Sequence, residues 1–468
     1  MWCTISAPNH PQLLNGNNCN KYYFTLPDCF RTLNISNIST TFSNLNRNEK
    51  TTFLLHLGYS VFEGTLFGAF LMNEFVFLKS LHGNSYLLGV LFVFSMAVFL
   101  LLILGNQVLS RNGNKRRLLQ ITALITRLPL FLFLLFPSDI SVYSGNSLWH
   151  YAFLSIFLLY YLSTPVTYPT INLLLRSNYR ISHFGKLFGY ANTVNKLFAF
   201  IATFVFGWML EADYSIFRFV YPACGTMGLV SIFCLSLIPY QSTSIEKHRI
   251  GLFSSVKKSF NDWVGILRNN REFLSFELGF MVYGIGFMLT VSAITLYLEG
   301  PLQLSYFSYA GYRNFAAVVT ILFMPVFSRF IDRIDPRRFA RITYWLMLLY
   351  ILFILLTQWF PESALWHSYQ VFPVLLLSFF CLGLFNASMG LLWYIGSSYY
   401  CSNDSESGDY QSVHLSFVGI RALIAPLTGV YFYETFGMTF TFFVAIAILL
   451  IAIGMTYYSQ WKTTVLNK

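Results

Sequence analysis

Charge is scarce in this chain. Asp, Glu, Lys and Arg make up only 10% of its 468 residues, against about 25% in an average soluble domain. Apolar residues supply 56%, with 50 Phe and 30 Tyr among the aromatics. So few charges cannot screen that much apolar surface from water, so a soluble fold is excluded and a lipid solvent is implied. Acids are scarcer than bases, and the formal net charge is +11. The cations lie between hydrophobic stretches rather than on one basic face, so nucleic acid is not the expected partner. Cysteine is sparse too: Cys3, Cys19, Cys29, Cys224, Cys234, Cys381 and Cys401 form no C-x-x-C pair and no metal spacing with His. The first 50 residues are polar and Asn-rich and lack the apolar core of a cleavable signal peptide. They are expected to form a disordered tail. Asn34 and Asn37 each open a glycosylation sequon there. No nucleotide loop, paired-carboxylate site or catalytic triad is present, so no enzyme activity and no cofactor is expected.

What the chain does contain is long apolar runs. A membrane-crossing helix needs about 20 predominantly apolar residues. Twelve such runs can be read: 52–72, 85–109, 118–137, 148–175, 187–210, 217–239, 274–298, 305–327, 340–360, 368–398, 410–434 and 438–458. The runs are continuous rather than alternating, which predicts helices and not a barrel. Pro165 and Pro169 predict a kink in span four. Residues 240–273 interrupt the series and are rich in polar and basic residues. Within them Leu252, Phe253, Val256, Phe260, Trp263, Val264 and Leu267 recur at helical spacing. This predicts an amphipathic helix, lying on the membrane surface or packed on other loops.

That interruption divides the chain into two sets of six spans, residues 51–239 and 274–460, whose starts correspond at offsets of 220 to 223. Single residues obey the same offset. Gly58, Val61 and Phe62 match Gly279, Val282 and Tyr283; Arg111, Lys115 and Arg116 match Arg333, Arg337 and Arg338; Gly207 matches Gly429. An internal duplication explains the agreement. It predicts an all-α membrane protein of two pseudo-symmetric six-helix bundles, with a solute site at their interface.

Lys and Arg in the loops set the expected orientation. Eighteen fall in loops 2–3, 4–5, 8–9 and the central loop, and only Lys79 and Arg218 fall on the other side. Both termini are therefore expected in the cytoplasm of a cell-membrane protein. Loop 10–11 is the exception, with Asp404, Glu406 and Asp409 and no cation.

Loop 2–3 reads Asn106-Gln107-Val108-Leu109-Ser110-Arg111-Asn112-Gly113-Asn114-Lys115-Arg116. It resembles the major facilitator signature G-x-L-a-D-R-x-G-R-K, keeping the Arg, the second Gly and the following Lys. Asn106 and Ser110 replace the first Gly and the Asp. Loop 8–9, Ser328 to Arg337, keeps the Asp332-Arg333 pair and the late Arg337, with Asp335 where the pattern has Gly. Such a tight turn is expected to use Gly for a left-handed step and its cations to meet acids or helix C-termini. The resemblance covers roughly residues 50–460. It implies a carrier that alternates access between two halves, with Arg111, Gly113, Lys115, Asp332, Arg333 and Arg337 as the latch. Pro426 and Gly429 in span eleven resemble a kinked-helix motif that the family usually carries in span five, where no Pro matches.

Charges inside the spans are the remaining clue to function. Glu63, Arg127, Lys196, Arg313 and Arg421 fall near mid-depth by distance from the span ends. A charge there costs at least ~2.5 kcal/mol on insertion scales, so each must face a polar cavity or a partner. Four cations against one acid would attract an anion. An organic anion touching Lys196, Arg313 or Arg421 is one reading, and backbone carbonyls freed near prolines, or pairing with Glu63, is the other. Arg127, on the third span, is expected to be structural. Asn192, Asn195, Asn386, Tyr59, Tyr283 and Trp393 complete the expected cavity, each also explicable as helix packing. Glu63 is the expected proton-coupling acid, its alternative being a salt bridge. Gly64 and Gly68 beside it would let another helix approach closely. His56 and His414, near span ends, are expected to be solvated or capping. The whole predicts a monomeric secondary carrier of a small solute in the lipid bilayer, driven by an ion gradient such as protons. An integral membrane enzyme of glycan or lipid metabolism, or a non-transporting receptor, is the alternative.

Overall fold

The computed structural model describes residues 45–145, 148–240, 252–331, 334–366, 369–401 and 406–466. The expected tail lies largely outside them, with Asn34 and Asn37, as do Lys247, Arg249, Asp332, Arg333 and Asp404. Helix already begins at Arg47, where Glu49 reaches back to accept a hydrogen bond from the Asn46 N–H at 3.1 Å, so the tail ends a few residues sooner than residue 50.

Nine helices among the described residues are long and apolar enough to cross a membrane. Twelve crossings follow once the interruptions are read. The run Ser407–Leu466 is two spans, divided at Gly437, whose backbone angles of φ 81° and ψ 173° belong to glycine. Span two changes winding from α-helix over Ser85–Ala97 to 3₁₀ over Val98–Leu101 and back to α over Leu102–Arg111. Span four breaks between Leu148–Tyr161 and Thr164–Asn178. Pro165 sits at the first turn of the second piece, where a missing N–H costs least. The remaining spans are Arg47–Phe70, Lys115–Arg127 with its 3₁₀ extension Leu128–Leu135, Ile181–Ala212, Phe217–Ser236, Arg271–Glu299, Tyr306–Ile331, Pro336–Leu356 and Pro373–Ser398. A small antiparallel hairpin, Ala364–Trp366 with Tyr369–Val371, joins spans nine and ten.

Close backbone contact binds the spans within each bundle. A Cβ built on Gly64 would stand 2.3 Å from the Asn195 carbonyl oxygen, and one on Gly68 2.2 Å from that of Ala199. Span five therefore lies directly on span one and is the helix that the Gly64/Gly68 pair admits. In the second bundle Gly429 of span eleven meets the Leu289 carbonyl of span seven in the same way. The halves touch along span two against span eleven and span five against span eight. One buried apolar cluster runs through both halves. A second, around Phe53, Leu119, Ile171 and Ile232, is confined to the basic-loop end of the first half. The linker helix Leu252–Asn269 forms as expected. Its Trp263, Ile266 and Leu267 pack on the body, while Phe260 and Val264 stay exposed.

Candidate functional site

The seam between the halves is stitched at the end remote from the basic loops. Lys79 Nζ donates to the Leu304 carbonyl at 2.8 Å, and the Ser80 and Tyr306 hydroxyls are 2.6 Å apart. The Phe75 ring stacks on Tyr309 at 3.9 Å, and Glu211 accepts the Phe307 N–H at 3.3 Å. Asn314 donates to the Phe200 carbonyl at 3.1 Å. Halfway along the seam Lys196 Nζ lies 3.8 Å from Met324 Sδ of span eight. Arg313 sits at the same surface, over the Tyr309 ring, and its charge is felt by Glu74 at the end of span one. Two of the expected anion-binding cations thus lie where the halves meet. Asn192 and Asn386 are half-buried on spans five and ten.

Inside the first bundle, Arg127 reaches Glu63 Oε1 at 3.4 Å and the Ser163 hydroxyl at 3.3 Å, and lies over the Tyr160 ring at 4.1 Å. The Ser231 hydroxyl donates to Glu63 Oε2 at 2.9 Å. Both carboxylate oxygens are therefore held, and Arg127 has the structural partner expected of it. Gly228 makes room: a Cβ there would lie 2.9 Å from the Arg127 Cδ. Tyr59 is buried one turn away, its ring stacked on His56.

Inside the second bundle, Arg421 donates to the Phe280 carbonyl and lies over the Phe280 and Tyr283 rings. Its guanidinium occupies the space a side chain at Gly284 would fill. Tyr283 stacks on Tyr344 at 4.5 Å. Below them Glu277 and His414 form a buried pair at 2.8 Å.

Several expectations are corrected. His414 is neither solvated nor capping, since it is sealed against Glu277; His56 is also buried, 3.2 Å from the Tyr179 hydroxyl. The count of four cations against one acid leaves out Glu74 and Glu277. Both stand nearer span ends, yet Glu74 acts electrostatically on Arg313 and Glu277 on Arg421, so the cationic surplus is smaller than depth alone suggested. Gly113 is exposed and takes no left-handed conformation. Span two instead ends in extended backbone at Asn112. Lys115 Nζ covers the Leu109 and Asn112 carbonyls, the second at 2.6 Å, and so does the capping work expected of the glycine. Gly105, one residue before Asn106, provides the close approach, to the Pro165 carbonyl of span four. Arg111 closes that helix.

In loop 8–9 Asp335, where the family pattern has Gly, caps span nine. It accepts the Arg337 N–H at 2.7 Å and the Arg337 guanidinium at 2.8 Å. Burial works to raise the Asp335 carboxyl, but the Arg337 hydrogen bonds override it and hold the group below the usual carboxylate range. Arg337 also reaches Ser459 of span twelve at 3.5 Å. The residues that sequence reasoning missed, Glu49 among them, show only as ordinary polar letters near span ends. Glu49 accepts from the Arg180 N–H at 3.0 Å and meets His183 at 3.1 Å, a carboxylate at the start of span five.

A cavity of about 440 Å³ opens at the basic face of the first bundle, lined by Gly113, Lys115, Arg116, Leu174, Ser236 and Tyr240. It lies within one half, not between the two. Among the described residues no cluster of His, Cys, Asp and Glu could hold a metal ion.

Comparison with known proteins supports the same architecture. The family profile of the Major Facilitator Superfamily matches residues 51–394. No curated protein matches the sequence significantly. Among solved structures the chain is similar to the nucleoside transporter NupG, with TM-score 0.66, 11% identity, and 87% of this chain and 99% of that one covered. It is also similar to a POT family transporter in complex with 5-aminolevulinic acid, with TM-score 0.65, 12% identity, and 91% and 98% covered. A peptide transporter of the POT type aligns at TM-score 0.64 and 13% identity, with 88% and 95% covered. At such identities the likeness is one of fold.

Proposed function

Because the chain belongs to the Major Facilitator Superfamily, and is thus a multi-pass membrane transporter rather than an enzyme, we propose that it carries a small organic anion across the cell membrane, driven by protons. Both termini then lie in the cytoplasm, where the basic loops would face. The observation that carries the reading is the position of Lys196 and Arg313. Both sit on the surface where the two halves meet, Lys196 against Met324 and Arg313 above Tyr309. A solute held between the halves would touch both cations, with Asn192, Asn386, Tyr59 and Tyr283 on the surrounding spans and Arg421 behind Phe280. In this reading the stitched end of the seam must part for the solute to pass, and the loops around Arg111, Gly113, Lys115 and Arg337, with Asp332 and Arg333, hold the opposite end when it closes. Glu63 stands as one coupling acid, held by Arg127 until the pair separates.

A thermal-shift screen of metabolite carboxylates, phosphates, sugars, peptides and nucleosides on purified protein identifies the solute. Uptake of that solute into proteoliposomes, with and without an inward proton gradient, then tests the mechanism. The Lys196→Ala, Arg313→Ala double variant is expected to lose at least tenfold in uptake of the anion. Uptake equal to wild type, or a hit confined to uncharged solutes, overturns the anion reading.

A further inference from the structure

Glu277 and His414 are more fully enclosed than any charged residue at the seam. Their side chains are 1% and 0% exposed, and Nδ1 of His414 lies 2.8 Å from Oε1 of Glu277. Each nevertheless keeps one polar atom without a partner among the described residues: Oε2 of Glu277 and Nε2 of His414. Buried polar atoms are nearly always hydrogen-bonded, so two orphans on one pair call for a reason. What they give the pair is open capacity for a proton. With the Nδ1 proton directed at the carboxylate, the bare Nε2 lone pair can accept a proton from water and give an imidazolium beside a carboxylate.

The surroundings define the electrostatics. Span seven contributes Glu277, Phe280 and Tyr283, span nine Tyr344, span ten Trp393 and Tyr400, and span eleven His414 and Arg421. Glu277 and Arg421 feel each other's charge, and Tyr344 feels both. Tyr400 is linked outward to Arg337, Asp335 and Glu272 at the basic face. The Phe280 ring lies 4.4 Å from the imidazole and the Trp393 indole 5.3 Å, edge-on. With neutral imidazole, Glu277 and Arg421 balance. One more proton leaves a net positive charge in an aromatic enclosure, a state that Arg421 opposes at close range. Displacing or neutralising Arg421 would relieve it, and the linkage is reciprocal. Glu63 of the first half lacks this spare capacity, because both of its oxygens are engaged.

We propose that Glu277 and His414 form a proton-binding site of the second bundle, with Arg421 as the counter-charge that governs its occupancy. The role of the site in transport rests on the proton-driven reading above; proton binding itself does not, and it can be read without solute. Trp393 is the built-in reporter, since a protonated imidazole quenches an adjacent indole. Tryptophan emission of the purified full-length protein in lipid nanodiscs is titrated with pH across roughly 4 to 9, and the Trp393→Phe titration is subtracted. A single transition, dimmer at low pH, is expected. Glu277→Gln, which keeps the shape of the side chain, should move it at least one unit to lower pH, a tenfold weaker proton affinity. Arg421→Gln should move it the opposite way, and His414→Gln should remove it. No Trp393-dependent transition, one that survives His414→Gln, or a midpoint unmoved by Glu277→Gln overturns the site. If the transition behaves as expected while uptake ignores the proton gradient, the site stands and the proton-driven reading fails.

Discussion

In the first bundle the buried guanidinium of Arg127 reaches a carboxylate directly, 3.4 Å from Glu63. In the second the guanidinium of Arg421 rests on a carbonyl and two aromatic rings, while the carboxylate of Glu277 holds a histidine instead. The positions are related by the duplication. At an offset of 221, Glu63 corresponds to Gly284 and His56 to Glu277. Where the first half has an acid the second has an empty space, and the arginine of span eleven fills it. Where the first half has a histidine bonded to a tyrosine, the second has the acid. One scaffold thus carries two charge layouts: a bridge with every oxygen satisfied, and a pair with atoms to spare. The first ties spans one, three and six together for as long as the pair is closed, and the second keeps unfilled polar atoms beside its ion pair.

The largest expected effect would break that bridge. Arg127→Ala leaves Glu63 charged with only Ser231 as a partner, and should cost about 3–5 kcal/mol of stability by thermal unfolding in detergent. Arg127→Met with Glu63→Gln should recover most of the loss; no recovery would mean the pair is not the source. Next comes the contrast between glycines. Gly64→Ala collides with backbone and should cost about 1–3 kcal/mol. Gly284→Ala meets the Arg421 side chain first, so adding Arg421→Ala should restore the melting temperature, whereas no side-chain truncation in span five should rescue Gly64→Ala. At the seam, Tyr306→Phe removes the hydroxyl shared with Ser80 and should cost about 1 kcal/mol. The readout is faster thiol labelling of cysteines introduced at the stitched end; labelling that stays at the wild-type rate would deny that end a gating role.

The smallest effect separates the two loops. Asn114 caps span three through the Arg117 N–H at 3.0 Å, and Asp335 plays the same N-cap role for span nine. The folded carboxyl of Asp335 titrates below its ordinary value. The stability it adds is therefore full above the unfolded value of about 4 and fades as pH falls through the folded one. Asp335→Asn should flatten that acid dependence while keeping the cap to within about 1 kcal/mol, and Asn114→Asp should introduce one at the other loop. Matching acid profiles in both variants would contradict the assignment.

Much of the architecture was legible in the sequence because lipid forces long apolar runs and a duplication repeats them. Gly64 and Gly68 signalled a close helix approach without saying which helix, and the two prolines of span four signalled a kink that falls just before Pro165. The 3₁₀ stretch of span two carries no proline or glycine and left no mark. For the charges, distance from a span end was a poor guide. His414 and Glu277 lie within two turns of span ends, where depth suggested water, yet they face inward, and facing is hidden when every side of a helix is apolar. Glu74 was missed for the same reason. Arg127 was expected to be structural because third spans lie peripherally, and the structure gives it Glu63 as a partner at 3.4 Å. The basic loops were visible as runs of cations, but the use of Lys115 in place of a left-handed glycine depends on a side chain folding back over carbonyls.

Spans eleven and twelve are joined at the stitched end by no loop, only by the turn at Gly437. Two rods sharing a single pivot cannot slide apart at that point; they can only open like dividers, widest at the far tips. At those tips Arg337 and Arg341 clamp span twelve to span nine through Ser459, Thr456 and Gln460. Span twelve is thereby pinned, and any swing of this pair must be taken by span eleven, the helix that carries His414 and Arg421. An arm that swung on this pivot would be the one that bears the charge.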